Sequence, residues 1–119
     1  MRDHKDLEVW QAAVGLVTEI YAVTRSFPQE EIYGLTNQIR RSAVSIPSNI
    51  AEGAARRSDK ELLNFLYIAA GSVSELETQI IIARNLNYLN DPEGLLSSVS
   101  SVKKMLYGLI RHYREKNQK

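Results

Sequence analysis

The sequence contains no cysteine, and it has only one tryptophan, two histidines and three prolines. The lack of cysteine excludes disulfide bonds, thiolate nucleophiles and cysteine-based metal sites. No uninterrupted apolar run approaches the length of a membrane span, and the charged first residues are unlike a signal peptide. We therefore expect a cytoplasmic protein that does not act at a membrane.

The composition is that of an ordinary globular protein. The 119 residues are 44% hydrophobic and 24% charged, which is enough apolar material for one core and too little chain for two. We predict a single domain over residues 1–119.

Apolar residues recur at steps of three and four, which is the spacing of amphipathic helices. Short connections make successive helices antiparallel neighbours, so we predict an all-α fold, an antiparallel up-down-up-down four-helix bundle. The predicted helices span residues of about 7–27, 31–54, 59–86 and 92–115.

Several residues mark the predicted helix ends. Asp6 is a candidate N-cap for the first helix, Ser58 with Glu61 fits a capping box, and Asp91 precedes a proline at the start of the last helix. Pro47 lies inside the second helix, where it removes a backbone hydrogen bond, so we predict a kink there. A break into two helices is the alternative.

The net charge is only +1, but the charges are unevenly distributed. Residues 40–60 carry +3 and residues 103–119 carry +5, whereas residues 1–39 and 61–102 carry −3 and −4. The predicted bundle brings the end of the second helix, the start of the third and the end of the fourth together. We name the resulting cluster the basic pole: Arg56, Arg57, Lys60, Arg111, Arg114, Lys116 and Lys119, with Arg2 and Lys5 nearby.

Such a cluster suits an anionic partner, most commonly nucleic acid. Basic residues in the last turn of a helix also complement its dipole and keep a protein soluble, which explains Lys116 and Lys119 equally well. Paired arginines are harder to explain in this way, because their planar groups match phosphate. The candidate nucleic-acid-binding residues are Arg40, Arg41, Arg56, Arg57, Lys60, Arg111 and Arg114.

The sequence offers little for catalysis. A di-metal centre in a bundle needs Glu-x-x-His pairs, and the chain has none, so we predict no metal, no cofactor and no enzymatic activity. Asn49 and Glu52 on the second helix, with Ser72 and Glu75 on the third, have a spacing that predicts a polar seam. We interpret this seam as a contact that fixes helix register or joins subunits.

A long string of residues resembles one known family. It consists of Tyr33-Gly34-Leu35-Thr36, Gln38-Ile39-Arg40-Arg41 and Ser45-Ile46-Pro47-Ser48-Asn49-Ile50-Ala51-Glu52-Gly53. These residues look like the signature of the 23S rRNA intervening-sequence proteins of bacteria, and the resemblance spans about residues 6–90.

The resemblance implies a four-helix protomer in a homopentamer whose molecular function is poorly defined. An accessory protein of diversity-generating retroelements is similar in fold and binds nucleic acid and a reverse transcriptase. Carried over by position, Arg40, Arg41 and Arg57 fall at basic positions of the family. Two functions follow as hypotheses: an oligomeric module that binds RNA or DNA, or a scaffold that binds a protein partner without touching nucleic acid.

Overall fold

The computed structural model describes residues 3–117. These residues form four α-helices and two short 3-10 helices, with no β-strand among them. The α-helices are α1 Glu8–Thr24, α2 Leu35–Ala54, α3 Asp59–Asn85 and α4 Pro92–Asn117. The all-α class and the four helices agree with the sequence-based prediction.

The start of α1 differs from the prediction. Asp6 does not cap α1, because it lies in a 3-10 helix, His4–Asp6. Leu7 occupies the N-cap position in extended conformation and provides no side-chain cap. Asp3 instead caps the 3-10 helix, accepting a 2.9 Å hydrogen bond from the backbone N–H of Lys5.

The connection between α1 and α2 is longer than predicted. Helix α1 ends at Thr24 rather than near residue 27, and α2 begins at Leu35 rather than near residue 31. Between them, Pro28 precedes a 3-10 helix, Gln29–Glu31. Glu30 and Glu31 lie in this 3-10 helix. They are separate from α2 because the backbone at Gly34 leaves helical geometry before α2 begins.

Helix α2 continues through Pro47 to Ala54 as one element. The alternative of two separate helices is therefore wrong. Pro47 is buried, as are Ala43 and Ile46 on the same side of α2.

Local side chains define the starts of α3 and α4. Ser58 caps α3 by accepting a 3.1 Å hydrogen bond from the Glu61 N–H, and Asp91 caps α4 by accepting a 3.0 Å bond from the Gly94 N–H. Both caps agree with the sequence prediction. Helix α3 ends at Asn85, and two residues later Asn87 has a φ of 62°, in the left-handed region. The Tyr88 N–H then bonds to the Ala83 carbonyl, which satisfies one of the last carbonyls of α3.

One continuous hydrophobic core joins all four α-helices. Helix α1 packs on α2 and α4, and α3 packs on α2 and α4. The closest helix approach that a glycine permits is at Gly53, where an added Cβ would lie 2.8 Å from the Phe65 Cβ. This contact holds the end of α2 against the start of α3, which is where the basic pole lies.

Helix α3 alone, among the described helices, is long and apolar enough to cross a membrane by length and composition. This is weak support for a span, because a core helix of a water-soluble protein passes the same test. Ten or more α3 side chains are buried against the other helices. The core explains part of the apolar character of α3, since 39% of its apolar window is buried.

Candidate nucleic-acid interface

The basic pole forms where the α2–α3 turn meets the end of α4. Lys116 Nζ lies 3.1 Å from Asp59 Oδ2, so the last turns of α4 lie beside the first turn of α3. This contact brings together the two base-rich segments of the chain, 40–60 and 103–119. Arg2 and Lys119 lie outside the described residues.

Two side chains of the basic pole already have partners within the protein. Arg56 donates a 3.1 Å hydrogen bond to Glu52, and its guanidinium lies 4.6 Å from the centre of the Phe65 ring. Lys116 pairs with Asp59. Part of their charge is therefore neutralised at short range.

Four other members are exposed, and none of their side chains has a partner within residues 3–117: Arg57, Lys60, Arg111 and Arg114. Their guanidinium and ammonium groups are in water, so they can contact phosphate without first breaking an internal bond. These four are the part of the pole best placed to bind an anion.

Carboxylates share this end of the molecule. Asp6 and Glu8 line a groove together with Met105 and His112 of α4. Within residues 3–8, 52–61 and 111–117, acidic side chains equal Lys and Arg in number. The pole is therefore a set of free bases among acids. Counting charge by segment missed this, because residues 3–8 were grouped with the acidic stretch up to residue 39.

Arg40 and Arg41 do not join the pole. They lie near the start of α2, and 16 residues of helix at 1.5 Å each separate Arg40 from Arg56 by about 24 Å. Arg40 Nε donates a 2.9 Å hydrogen bond to Thr24 Oγ1, and its guanidinium lies 4.6 Å from the centre of the Tyr21 ring. Arg41 is exposed and has no side-chain partner in the described chain.

The predicted polar seam exists only in part. Ser72 is buried, and its hydroxyl lies 2.8 Å from the Ser45 hydroxyl across the α2–α3 contact. Asn49 Nδ2 donates to both the carbonyl and the hydroxyl of Ser45, at 2.8 and 2.9 Å. Glu52 turns instead to Arg56, and Glu75 is exposed.

Ser45 is the centre of this seam, although the spacing argument left it out. Its position four residues before Asn49 places both on one face of α2, which was the available signal. The three polar side chains bond to one another where α2 packs on α3, and Ser45 and Asn49 are half-buried there.

A polar contact that the sequence did not predict lies at the opposite end. Tyr88 Oη donates a 2.9 Å hydrogen bond to Glu31 Oε2. This bond, with partial burial and the negative charges of Glu31 and Glu30, raises the pKa of Tyr88. The bond joins the α1–α2 connection to the α3–α4 turn. The two residues are 57 positions apart, so no local pattern could reveal it.

Metal-ligating side chains do not gather anywhere in residues 3–117: no group of three or more His, Asp or Glu residues is placed to hold an ion. The two histidines are far apart in sequence and pack edge-on against rings, His4 against Trp10 and His112 against Tyr113. Both have an aromatic packing role.

Comparison with known proteins agrees with the signature string. A family model described as 23S rRNA-intervening sequence protein matches residues 5–108. No curated protein matches the chain. The match includes α1, α2, α3 and most of α4, and it leaves out the last bases of the pole.

Proposed function

The chain belongs to the 23S rRNA-intervening sequence protein family, and on that premise we propose that it is a homo-oligomeric, non-catalytic cytoplasmic module that binds the phosphate backbone of RNA or DNA. The supporting observation is the junction of the two base-rich segments at the Lys116–Asp59 contact. Each free base there can replace a counterion of the nucleic acid, which favours binding at low salt.

The proposal includes an antiparallel up-down-up-down arrangement of the helices. Contacts between α3 and α4 support it: Lys103 lies 3.6 Å from Glu77, and Lys116 lies 3.1 Å from Asp59, so later residues of α4 meet earlier residues of α3. The other helix pairs show contacts at the positions expected for alternating directions: Ser98–Glu19, Arg40–Thr24, Ser45–Ser72 and Gly53–Phe65.

We also propose a bend in α2 at Pro47, because proline removes a hydrogen bond and crowds the carbonyl of Ala43. A bend there turns the last two turns of α2, and with them Arg56, relative to the first three. The basic pole then lies at an angle to the Arg40–Arg41 segment.

Oligomerisation is supported by apolar side chains on the outer face of α3, which we name the α3 face: Tyr67, Ile68, Ile81 and Ile82. Their exposed fractions range from 36% to 51%. Glu75 is the one charged residue among the exposed α3 positions between Tyr67 and Ile82. Water contact with such a stripe is unfavourable, and a second copy removes it.

A closed ring, which we propose to be a pentamer, orients every protomer in the same way. The basic poles then gather on one side of the ring. Several weak phosphate contacts on one assembly act together on a single nucleic-acid chain, which raises the overall affinity.

Single substitutions that replace an arginine with an uncharged residue test this function. We expect Arg57→Gln and Arg114→Gln each to weaken RNA and DNA binding and to reduce the slope of log affinity against log salt by about one. Arg84→Gln is the matched control, because Arg84 is an exposed arginine at the other end of α3. Equal effects of all three variants would place binding elsewhere.

A protein-interaction scaffold is the second candidate, and the α3 face favours it, because the same apolar stripe fits a different protein as well as another copy. Affinity capture with the intact protein after nuclease treatment tests it. A stoichiometric protein that is lost from the Ile68→Asp variant supports a scaffold, whereas recovery of the chain alone contradicts it.

A further inference from the structure

Two adjoining surface grooves follow the start of α2. One, of about 570 Å³, is lined by Tyr21, Tyr33, Arg40 and Arg41 among others. The other, of about 440 Å³, includes Arg25. Arg40 and Ile32 line both, so the two form one continuous surface, which we name the arginine groove.

The arginine groove is lined by arginines and by no carboxylate. Three other grooves of the described chain each include an acid: Glu19 and Asp91 in one, Glu75 in another, Asp6 and Glu8 in the third. The nearest acids in sequence are in the 3-10 helix Gln29–Glu31, and Glu31 there already accepts from Tyr88 and from the Leu35 N–H. Arg41 and Ser45 also line the groove that contains Glu75, so one carboxylate borders the arginine groove, whose own lining holds three arginines and no acid.

Arg40 is held in place before any ligand arrives. Its Nε is bonded to Thr24 and its plane lies against Tyr21, which fixes the side chain without an ion pair. Arg41 follows on the outer side of α2 with no side-chain partner in the described residues. One oriented and one free guanidinium suit the oxygens of successive phosphates.

Tyr33 adds an aromatic surface beside these charges. It is 93% exposed, the largest exposed fraction among the large hydrophobic residues described. Aromatic rings next to cationic side chains are the pattern with which proteins stack unpaired bases. The volume of the groove fits a nucleotide-sized group and is too small to enclose a duplex.

We propose that the arginine groove binds single-stranded nucleic acid, with a base stacked on Tyr33 and the neighbouring phosphates on Arg40 and Arg41. This rests on the proposed function and specifies its substrate class. The basic pole contacts phosphate in any form, whereas the groove requires an unpaired base.

The first test uses end-labelled U12 and dT12 single strands and a 12-base-pair duplex as probes with the full-length protein. Tyr33→Ala should weaken single-strand binding at least about fivefold and leave duplex binding unchanged. Tyr33→Trp should retain single-strand binding, because it keeps a stacking ring. Stronger binding of U12 or of dT12 identifies RNA or DNA as the preferred strand.

The second test locates the strand directly. Ultraviolet cross-linking of a 4-thiouridine strand, followed by trypsin, should label the peptide 26–40, which contains Tyr33. Labelling of peptide 105–111, which contains the exposed Tyr107 of α4, would instead overturn the groove assignment.

The outcomes separate the two proposals. If Tyr33→Ala binds single strands as the wild type does while Arg114→Gln binds them weakly, the groove is wrong and the basic pole stands. If the wild type binds no probe at low salt, both are wrong. A fall in oligomer mass on Tyr33→Ala, measured by light scattering, would show that another copy covers the groove and would also overturn the proposal.

Discussion

Neighbouring residues of identical type have different environments in this protein. Arg40 and Arg41 follow each other in sequence, but about 100° of helix rotation separates their side chains. Arg40 therefore packs on Thr24 and Tyr21, whereas Arg41 faces water. In the pole, Arg56 is paired with Glu52, whereas the Arg57 side chain has no partner among residues 3–117. Arg40 is bonded to Thr24 through Nε and keeps its terminal nitrogens for a ligand, whereas Arg56 uses a terminal nitrogen in its bond to Glu52.

The Tyr88–Glu31 hydrogen bond predicts a pH-dependent contribution to stability. The raised pKa of Tyr88 means that the folded state favours the neutral phenol. The stabilisation is fully present below the pKa of the unfolded tyrosine, which is about 10, and is lost as pH rises through the folded-state pKa. Tyr88→Phe should be less stable than wild type at pH 7 in urea unfolding, and the difference should shrink above about pH 10. A difference that is constant with pH would contradict this.

Asn87 adopts a left-handed backbone conformation two residues after the end of α3. Side chains with a branched Cβ are disfavoured there, so Asn87→Val should lower the free energy of unfolding by about 1–2 kcal/mol. Asn87→Gly is the control and should be at least as stable as wild type, because glycine adopts positive φ without steric cost. Thermal unfolding of the two variants measures this. Equal stability of Asn87→Val and Asn87→Gly would exclude a conformational role for this position.

At the scale of the helices, two of the three caps predicted from local signals are confirmed, whereas Asp6 does not cap α1 and the long-range contacts were not predicted. Ser58 and Asp91 were identified as caps because their bonds span three residues. The sequence left the start of α2 open between Glu30 and Leu35, and the structure has it at Leu35, because Gln29–Glu31 forms a separate turn that Tyr88 contacts through Glu31. The contact of Arg40 with Thr24 was not predicted, because the two residues lie on different helices.

Gly53 is the position where helix packing depends most on the lack of a side chain. An added Cβ would lie 2.8 Å from the Phe65 Cβ and 3.0 Å from Leu62 Cδ1. We expect Gly53→Ala to destabilise the fold by about 1–3 kcal/mol, because α2 and α3 must move apart. Gly15→Ala in α1 is the matched control, since nothing lies within 4 Å of an added Cβ there. That variant should gain up to about 1 kcal/mol from helix propensity. Similar urea midpoints for both variants would contradict the packing argument.

At the scale of the whole molecule, the α3 face and the two basic surfaces lie on different parts of one small bundle. The proposed ring uses the apolar stripe of α3, which leaves the ends of the helices exposed. The phosphate-binding residues of several protomers can then contact one strand. The sequence alone predicted a basic pole without Arg40 and Arg41, but it did not predict the second groove that these two arginines line.

Ile68→Asp tests the α3 face as the oligomer contact. Ile68 is 51% exposed in the protomer, and a carboxylate there would be buried without a partner in an assembly. We expect the variant to elute and scatter light as a 13.5 kDa monomer while its helical content is unchanged. Val14→Asp is the control, because Val14 is 37% exposed on α1, outside this face. Loss of assembly in the control alone would move the interface to α1.

The central claim is that an assembly of this chain binds nucleic acid through its phosphates. The most direct measurement is a titration of labelled RNA and DNA with the purified wild-type protein at 50 and 200 mM salt, with light scattering on the same samples. We predict an oligomer whose affinity falls steeply between the two salt concentrations. A well-formed oligomer that binds neither nucleic acid at 50 mM salt would contradict the claim, and the free bases would then serve solubility rather than recognition.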